Sequence, residues 1–232
     1  MLHDLGENGG LGFCNDALSL LPPKYHGPLI MALDSNILID LRQHGSALLN
    51  GDQITGLDAG YEEDLDGLAR ILDLWMVRDI RFIVTPRSLT DARKRTERFR
   101  VSQAPAVEAI AESLAFQVGN WDEAVNMSPP PCSSIGEEKG LPSGADRDLV
   151  LEAQAIGAHI FLTRDKRILT KTQLSGPKVG IMAPAAVAEN FKSANVEIFS
   201  GGICALSDCP YTTWPLPFPD TGKWGPLLSI FS

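Results

Sequence analysis

GADRDLVLEAQAIGAHIFLTRD, residues 144–165, is a helix pattern that passes through a Gly-Ala break into a strand pattern. Its first half has apolar residues at helical spacing, and HIFLT at 159–163 is the short apolar run typical of a strand buried on both faces. Aspartates lie at both ends, with Asp146 and Asp148 near the helix start and Asp165 just beyond the strand. The stretch therefore predicts a helix–strand unit with acids at both ends.

Three further strand candidates occur along the chain, at Leu29–Leu33, at RFIVT (81–85) and at KVGIMAP (178–184). The pattern predicts a loop over 44–60 and helices over about 61–78, 88–100, 104–125, 145–157 and 185–193. Strands that alternate with helices indicate βαβ crossovers, so we expect an α/β fold with a parallel sheet.

The length of 232 residues and the apolar content of 44% suit one α/β domain with extensions. We expect an irregular N-terminal arm over 1–27, the α/β domain over 28–193 and a Pro/Trp-rich C-terminal extension over 194–232. No signal peptide or membrane span is recognisable, and the four cysteines are scattered. These features predict a cytoplasmic protein with reduced thiols and no membrane association.

The charge distribution is uneven. A formal net charge of −9 argues against non-specific binding of nucleic acid, which depends on neutralising phosphates. However, residues 87–100 and 164–171 together hold ten of the twenty Lys and Arg side chains. The simplest interpretation of these clusters is a solvated surface with paired charges. The alternative is a local basic field on an acidic protein.

An acidic residue follows each of the first three predicted strands within six residues. Asp34 comes directly after the first strand, Asp91 follows the second by six residues, and Asp165 follows the third by two. In open parallel sheets, ligands bind beyond the carboxyl ends of the strands. We therefore expect these three carboxylates at one edge of the sheet.

The phase of the helix separates Asp146 from Asp148. At about 100° per residue, Asp146 falls within the stripe that contains Leu149 and Ala153, which we expect to face the sheet. Asp148 falls on the other side, beside Leu151 and Ala155. Since that second face is also partly apolar, Asp148 remains an alternative. Glu152 lies one turn beyond Asp148, on a face that we expect to be exposed.

Each acid also has a structural interpretation. Asp34 could cap its helix and Asp165 could belong to a turn, while Asp91 and Asp146 each follow a serine by three positions, as in a capping box. Taken together, four converging carboxylates would repel one another unless a cation lay among them. Hard divalent ions prefer such oxygen ligands, and they can activate a water for phosphodiester hydrolysis.

These blocks together resemble the PIN-domain nucleases. ALDSNILIDL is similar to the family's opening block, with Asp34 as the first metal ligand, Asn36 as its polar companion and Asp40 as a less essential acid. IVTPRSLTDARKR resembles the second block, although the family usually has Glu where this chain has Asp91. GADRDLVLEAQAIGAHIFLTRD resembles the last acid-bearing block, and an ungapped match places the helix acid on Asp146. IMAPAAVAENF resembles the closing strand and helix.

The resemblance covers about 28–193 and implies a three-layer α/β/α fold with a parallel sheet of four to five strands. It also implies an endoribonuclease that depends on Mg²⁺ or Mn²⁺, and many bacterial relatives are toxins paired with an antitoxin. The expected partners are an RNA substrate, an antitoxin protein and a second copy of the chain. The alternative is a PIN-like scaffold that binds RNA or a protein without cutting.

The resemblance and the spacing assign roles to individual residues. We expect Asp34, Asp146 and Asp165 to bind the metal, and Asp91 to bind it directly or through water. Asn36 and Thr163 would hydrogen-bond a ligand carboxylate or a phosphate. The residues expected to contact RNA phosphates are Arg93, Lys94, Arg164 and Lys166.

Overall fold

The computed structural model describes residues 13–14, 20–21, 25–85, 87–88, 91, 144–171 and 179–198. Arg93, Lys94, most of the helix predicted over 88–100, the helix predicted over 104–125 and the C-terminal extension beyond 198 lie outside these residues. The strands are β1 (Phe13–Cys14), β2 (His26–Gly27), β3 (Leu29–Leu33), β4 (Ile80–Val84), β5 (Ile160–Leu162) and β6 (Gly180–Met182). The helices are α1 (Ser35–Asn50), α2 (Ala59–Trp75), α3 (Ala145–Ile156), α4 (Lys166–Lys171) and α5 (Pro184–Ser193).

A four-stranded, all-parallel sheet has the strand order β4-β3-β5-β6. Every residue of β3, β4 and β5 is buried, as expected for apolar strands covered on both faces. The registers Leu33↔Leu162 and Leu162↔Met182 align the ends of three strands. The predicted α/β class with a parallel sheet is therefore confirmed.

The chain divides into two compact units, one within residues 30–44 and 82–183, the other within 1–29, 45–81 and 184–232. The domain bounds predicted from the sequence, 1–27, 28–193 and 194–232, stay a prediction. All the candidate site residues belong to the ranges 30–44 and 82–183.

Helix α3 ends at a glycine C-cap, Gly157. Gly157 has a left-handed φ of 84°, and its N–H donates to the carbonyl of Gln154 at 3.0 Å. Ala158 N–H donates to the carbonyl of Ala153, also at 3.0 Å. Because L side chains rarely adopt this φ, the Gly-Ala break of the sequence stops the helix and starts the turn into β5.

Three local predictions differ from the structure. The loop expected over 44–60 begins too early, since α1 continues to Asn50, where the buried Leu48 extends its apolar face. Within the arm expected to be irregular, β1 pairs antiparallel with β2. Helix α4 was not expected. No helix in the described ranges is long and apolar enough to cross a lipid bilayer.

Helices α2 and α5 make a close backbone contact at Gly67. A Cβ atom at this position would lie 2.5 Å from the backbone N of Ala185 and 2.5 Å from the carbonyl carbon of Pro184. Asp64, on the same helix, accepts a hydrogen bond from Ala185 N at 3.3 Å. Gly67 therefore permits the contact between the two helices.

Gly67→Ala should lower the free energy of unfolding by about 1–3 kcal/mol, because the added methyl meets backbone that cannot move aside alone. The matched control is Gly60→Ala on the same helix, where the nearest atom to an added Cβ is a side-chain oxygen of Asp58 at 3.4 Å. Chemical denaturation should show the control unchanged or slightly more stable, as helix propensity favours Ala. Equal stability of both variants would contradict the close contact.

Candidate functional site

The carboxyl edge of the sheet brings Asp34 and Thr163 together. Each is the first residue after a strand, and the two strands, β3 and β5, are neighbours in register. Asp34 N–H donates to the carbonyl of Leu162 at 3.0 Å, and Thr163 N–H donates to that of Met182 at 3.0 Å. The ladder of the sheet thus sets the positions of both residues.

The Asp34 carboxylate is buried and held by three donors. Its Oδ1 accepts from Ser35 N–H at 2.6 Å, and its Oδ2 accepts from Asn36 Nδ2 at 2.5 Å and from Thr163 Oγ1 at 2.6 Å. The Asp34 carbonyl accepts from Ile37 N–H at 3.0 Å, as expected of the residue that precedes α1. Asp34 is therefore a helix cap and, at the same time, an oriented carboxylate.

Thr163 links Asp34 to the next acid along the chain. The Thr163 hydroxyl that donates to Asp34 accepts from the backbone N–H of Asp165 at 3.0 Å. Asn36 supports the same turn, since its Oδ1 accepts from Arg164 N–H at 3.0 Å and its Nδ2 lies 3.2 Å from Thr163 Oγ1. The two predicted supporting residues thus contact one another and both contact Asp34.

Asp165 and Asp146 share one cation, the guanidinium of Arg167. Arg167 Nη2 lies 2.7 Å from Oδ2 of Asp165 and 3.6 Å from Oδ2 of Asp146. The hydrogen bond to Asp165, then its charge and that of Asp146, raise the pKa of Arg167 above its usual value. The two carboxylates are therefore close enough to interact with a single positive group.

Capping accounts for Asp165 but not for Asp146. The Asp165 carboxylate accepts from Arg167 N–H at 2.9 Å, at the start of α4. By contrast, α3 has Gly144 at its N-cap and no side-chain cap. The capping-box interpretation of Asp146 therefore does not describe the structure.

Asp148 belongs to a separate charge group. Its Oδ2 lies 2.9 Å from Arg87 Nη1, and Arg87 Nε lies 3.3 Å from Oε1 of Glu152. Glu152 is only 8% exposed, so the exposed position expected for it is wrong. Helix periodicity alone did not reveal Arg87, which provides the counterion that makes this burial tolerable.

The cations expected to contact RNA have different surroundings. Arg164 forms a bidentate pair with the buried Asp40, at 2.5 Å from Nε and 2.6 Å from Nη2, so its guanidinium already has a carboxylate partner. Lys166 is exposed at the start of α4. Arg93 and Lys94 lie outside the described residues, and their role stays a prediction.

Asp40→Asn should lower the free energy of unfolding by about 1–3 kcal/mol, because it leaves the Arg164 guanidinium without its ionic partner. The expected loss is limited because the Arg164 side chain keeps 23% of its exposure to water. Glu189→Gln is the control, since Glu189 pairs with Lys192 at the surface, where both side chains are mostly exposed. Thermal unfolding followed by circular dichroism separates the two variants. An unaffected Asp40→Asn would contradict a structural role for the pair.

Asp91 is partly exposed and lies in helical backbone. Thr85 is the first residue after β4, and its Oγ1 accepts a hydrogen bond from Ser88 N–H at 3.1 Å, the contact of an N-cap side chain. Whether Asp91 contacts a metal stays a prediction.

Across the residues that the structure describes, no group of three or more His, Cys, Asp or Glu side chains has the arrangement of a formed metal site. The donor chemistry nevertheless suits a hard divalent cation, since only oxygens are offered. Asp146 and Asp165 already hold a shared positive group, and Asp34 is one hydroxyl away from the Asp165 backbone. Among the described residues these three carboxylates are linked through Thr163 and Arg167, but they are not arranged as the ligands of one ion.

Arg167 is the residue that sequence reasoning missed. It lies in the basic run 164–171, but no role was assigned to it. The available signal was its position two residues after Asp165 at the start of a helix, from which an arginine can reach back to the carboxylate. Its contact with Asp146 depends on where α3 packs, which the sequence pattern does not specify.

Comparisons with known proteins give no relative for this chain: no family model, curated protein or solved structure matches it.

Proposed function

We propose that the protein is a divalent-metal-dependent endoribonuclease with a PIN-like, three-layer fold, acting in the cytoplasm. One observation carries the proposal: a continuous set of contacts joins three aspartates at the carboxyl edge of a parallel sheet. It runs from Asp34 through Thr163 to Asp165, and from Asp165 through Arg167 to Asp146.

A bound Mg²⁺ or Mn²⁺ would lower the pKa of a water for attack on a phosphodiester. Asp34, Asp146 and Asp165 would hold the ion, with Asp91 as the fourth acid. Thr163 and Asn36 would keep the Asp34 carboxylate in one orientation, because both donate to its Oδ2. The buried position of Asp34 restricts its rotation and favours a preorganised ligand.

Substrate phosphates would be met by basic residues near this edge. Lys166 immediately follows Asp165 and is exposed, so its ammonium can approach a phosphate without first breaking a buried contact. Arg93 and Lys94 complete this proposed set. These basic side chains would attract RNA phosphates locally, although the whole chain has a net charge of −9.

A second candidate, a PIN-like scaffold that binds RNA or a protein without cutting, is favoured by a specific observation. The Arg167 guanidinium pairs with both Asp146 and Asp165, and within the described residues no group of three or more His, Cys, Asp or Glu side chains could hold a metal ion. A scaffold would need no metal at this edge. The two candidates therefore differ in whether the acids bind a divalent cation.

The test is incubation of the purified chain with a pool of structured and unstructured RNAs, in Mn²⁺ and in EDTA, followed by sequencing of the fragment ends. A nuclease should give discrete cleavage in Mn²⁺ that EDTA abolishes. RNA binding without cleavage under all conditions would replace this proposal with the scaffold. A toxin role is the narrower form of the proposal, and it adds an antitoxin partner and a homodimer.

A further inference from the structure

We draw no further inference here: the strongest candidate, the side-chain cluster in which Arg87, just after β4, pairs with Asp148 and the buried Glu152 of helix α3, consists of contacts within the cluster itself, and nothing in the described part of the chain points to a ligand there.

Discussion

Asp34→Asn should reduce Mn²⁺-dependent RNA cleavage by at least about 100-fold. Asp34 is the most fully buried of the three aspartates at the edge, and both of its carboxylate oxygens accept hydrogen bonds that fix their direction. Asparagine keeps the shape but removes the charge. It also presents an NH₂ group in place of one of the two oxygens.

Some loss of stability should accompany this loss of activity. The donors around the carboxylate are Ser35 N–H, Asn36 Nδ2 and Thr163 Oγ1, so the NH₂ group of an asparagine would face a donor. The expected cost is about 1–3 kcal/mol. Asp52→Asn, at an exposed position, is the control for the charge change and should be fully active. Cleavage by folded Asp34→Asn at more than half the wild-type rate would exclude Asp34 from the site.

Asp146→Asn and Asp148→Asn should differ strongly, although the two residues lie in one helical turn and undergo the same chemical change. Asp146→Asn should lower Mn²⁺-dependent cleavage at least about 100-fold, because Asp146 shares a cation with Asp165. The cleavage rate of Asp148→Asn should stay within about threefold of the wild-type rate. Asp148 pairs with Arg87, in a partly exposed ion pair that is separate from Asp165 and Arg167.

The comparison is measured as initial rates on one RNA substrate over a series of Mn²⁺ concentrations. Both side chains are partly exposed, at 26% for Asp146 and 36% for Asp148, so folding differences should be small. Equal losses of cleavage rate in the two variants would contradict a special role for Asp146. A larger loss in Asp148→Asn would move the site toward Arg87 and Glu152.

The sequence pattern correctly predicted the features that depend on residues close together in the chain. The apolar run Leu29–Leu33 became a fully buried strand, and the Gly-Ala break ended α3 at Gly157 with a positive φ. Both follow from interactions within a few residues. The sheet then placed Asp34 beside Thr163, because parallel strands in register end at one level.

Other features depend on partners that are distant in sequence. The sequence pattern predicted a loop from residue 44, yet α1 runs to Asn50, since burial of Leu48 outweighs local propensity. Glu152 was expected at the surface, but Arg87 compensates its charge in a buried position. Such ion pairs depend on how separate elements pack together, so residue spacing within one helix cannot predict them.

The roles of arginines were the least predictable. Arg164 and Arg167 are three residues apart in one basic run, but one pairs with the buried Asp40 and the other with the acids at the edge. From the sequence, Arg164 and Lys166 were expected to contact phosphates and Arg167 was given no role. In the structure the two arginines have different partners, because the turn after Thr163 directs Arg164 toward α1, whereas Arg167 lies in the first turn of α4.

The most direct test of the account is a Mn²⁺ titration of the full chain, followed by electron paramagnetic resonance, for the wild type, Asp146→Asn and Asp148→Asn. The account predicts saturable binding to the wild type that EDTA reverses, the same binding to Asp148→Asn, and its loss in Asp146→Asn. Absence of saturable binding to the wild type, or equal binding to all three proteins, would contradict a metal site at the carboxyl edge of the sheet.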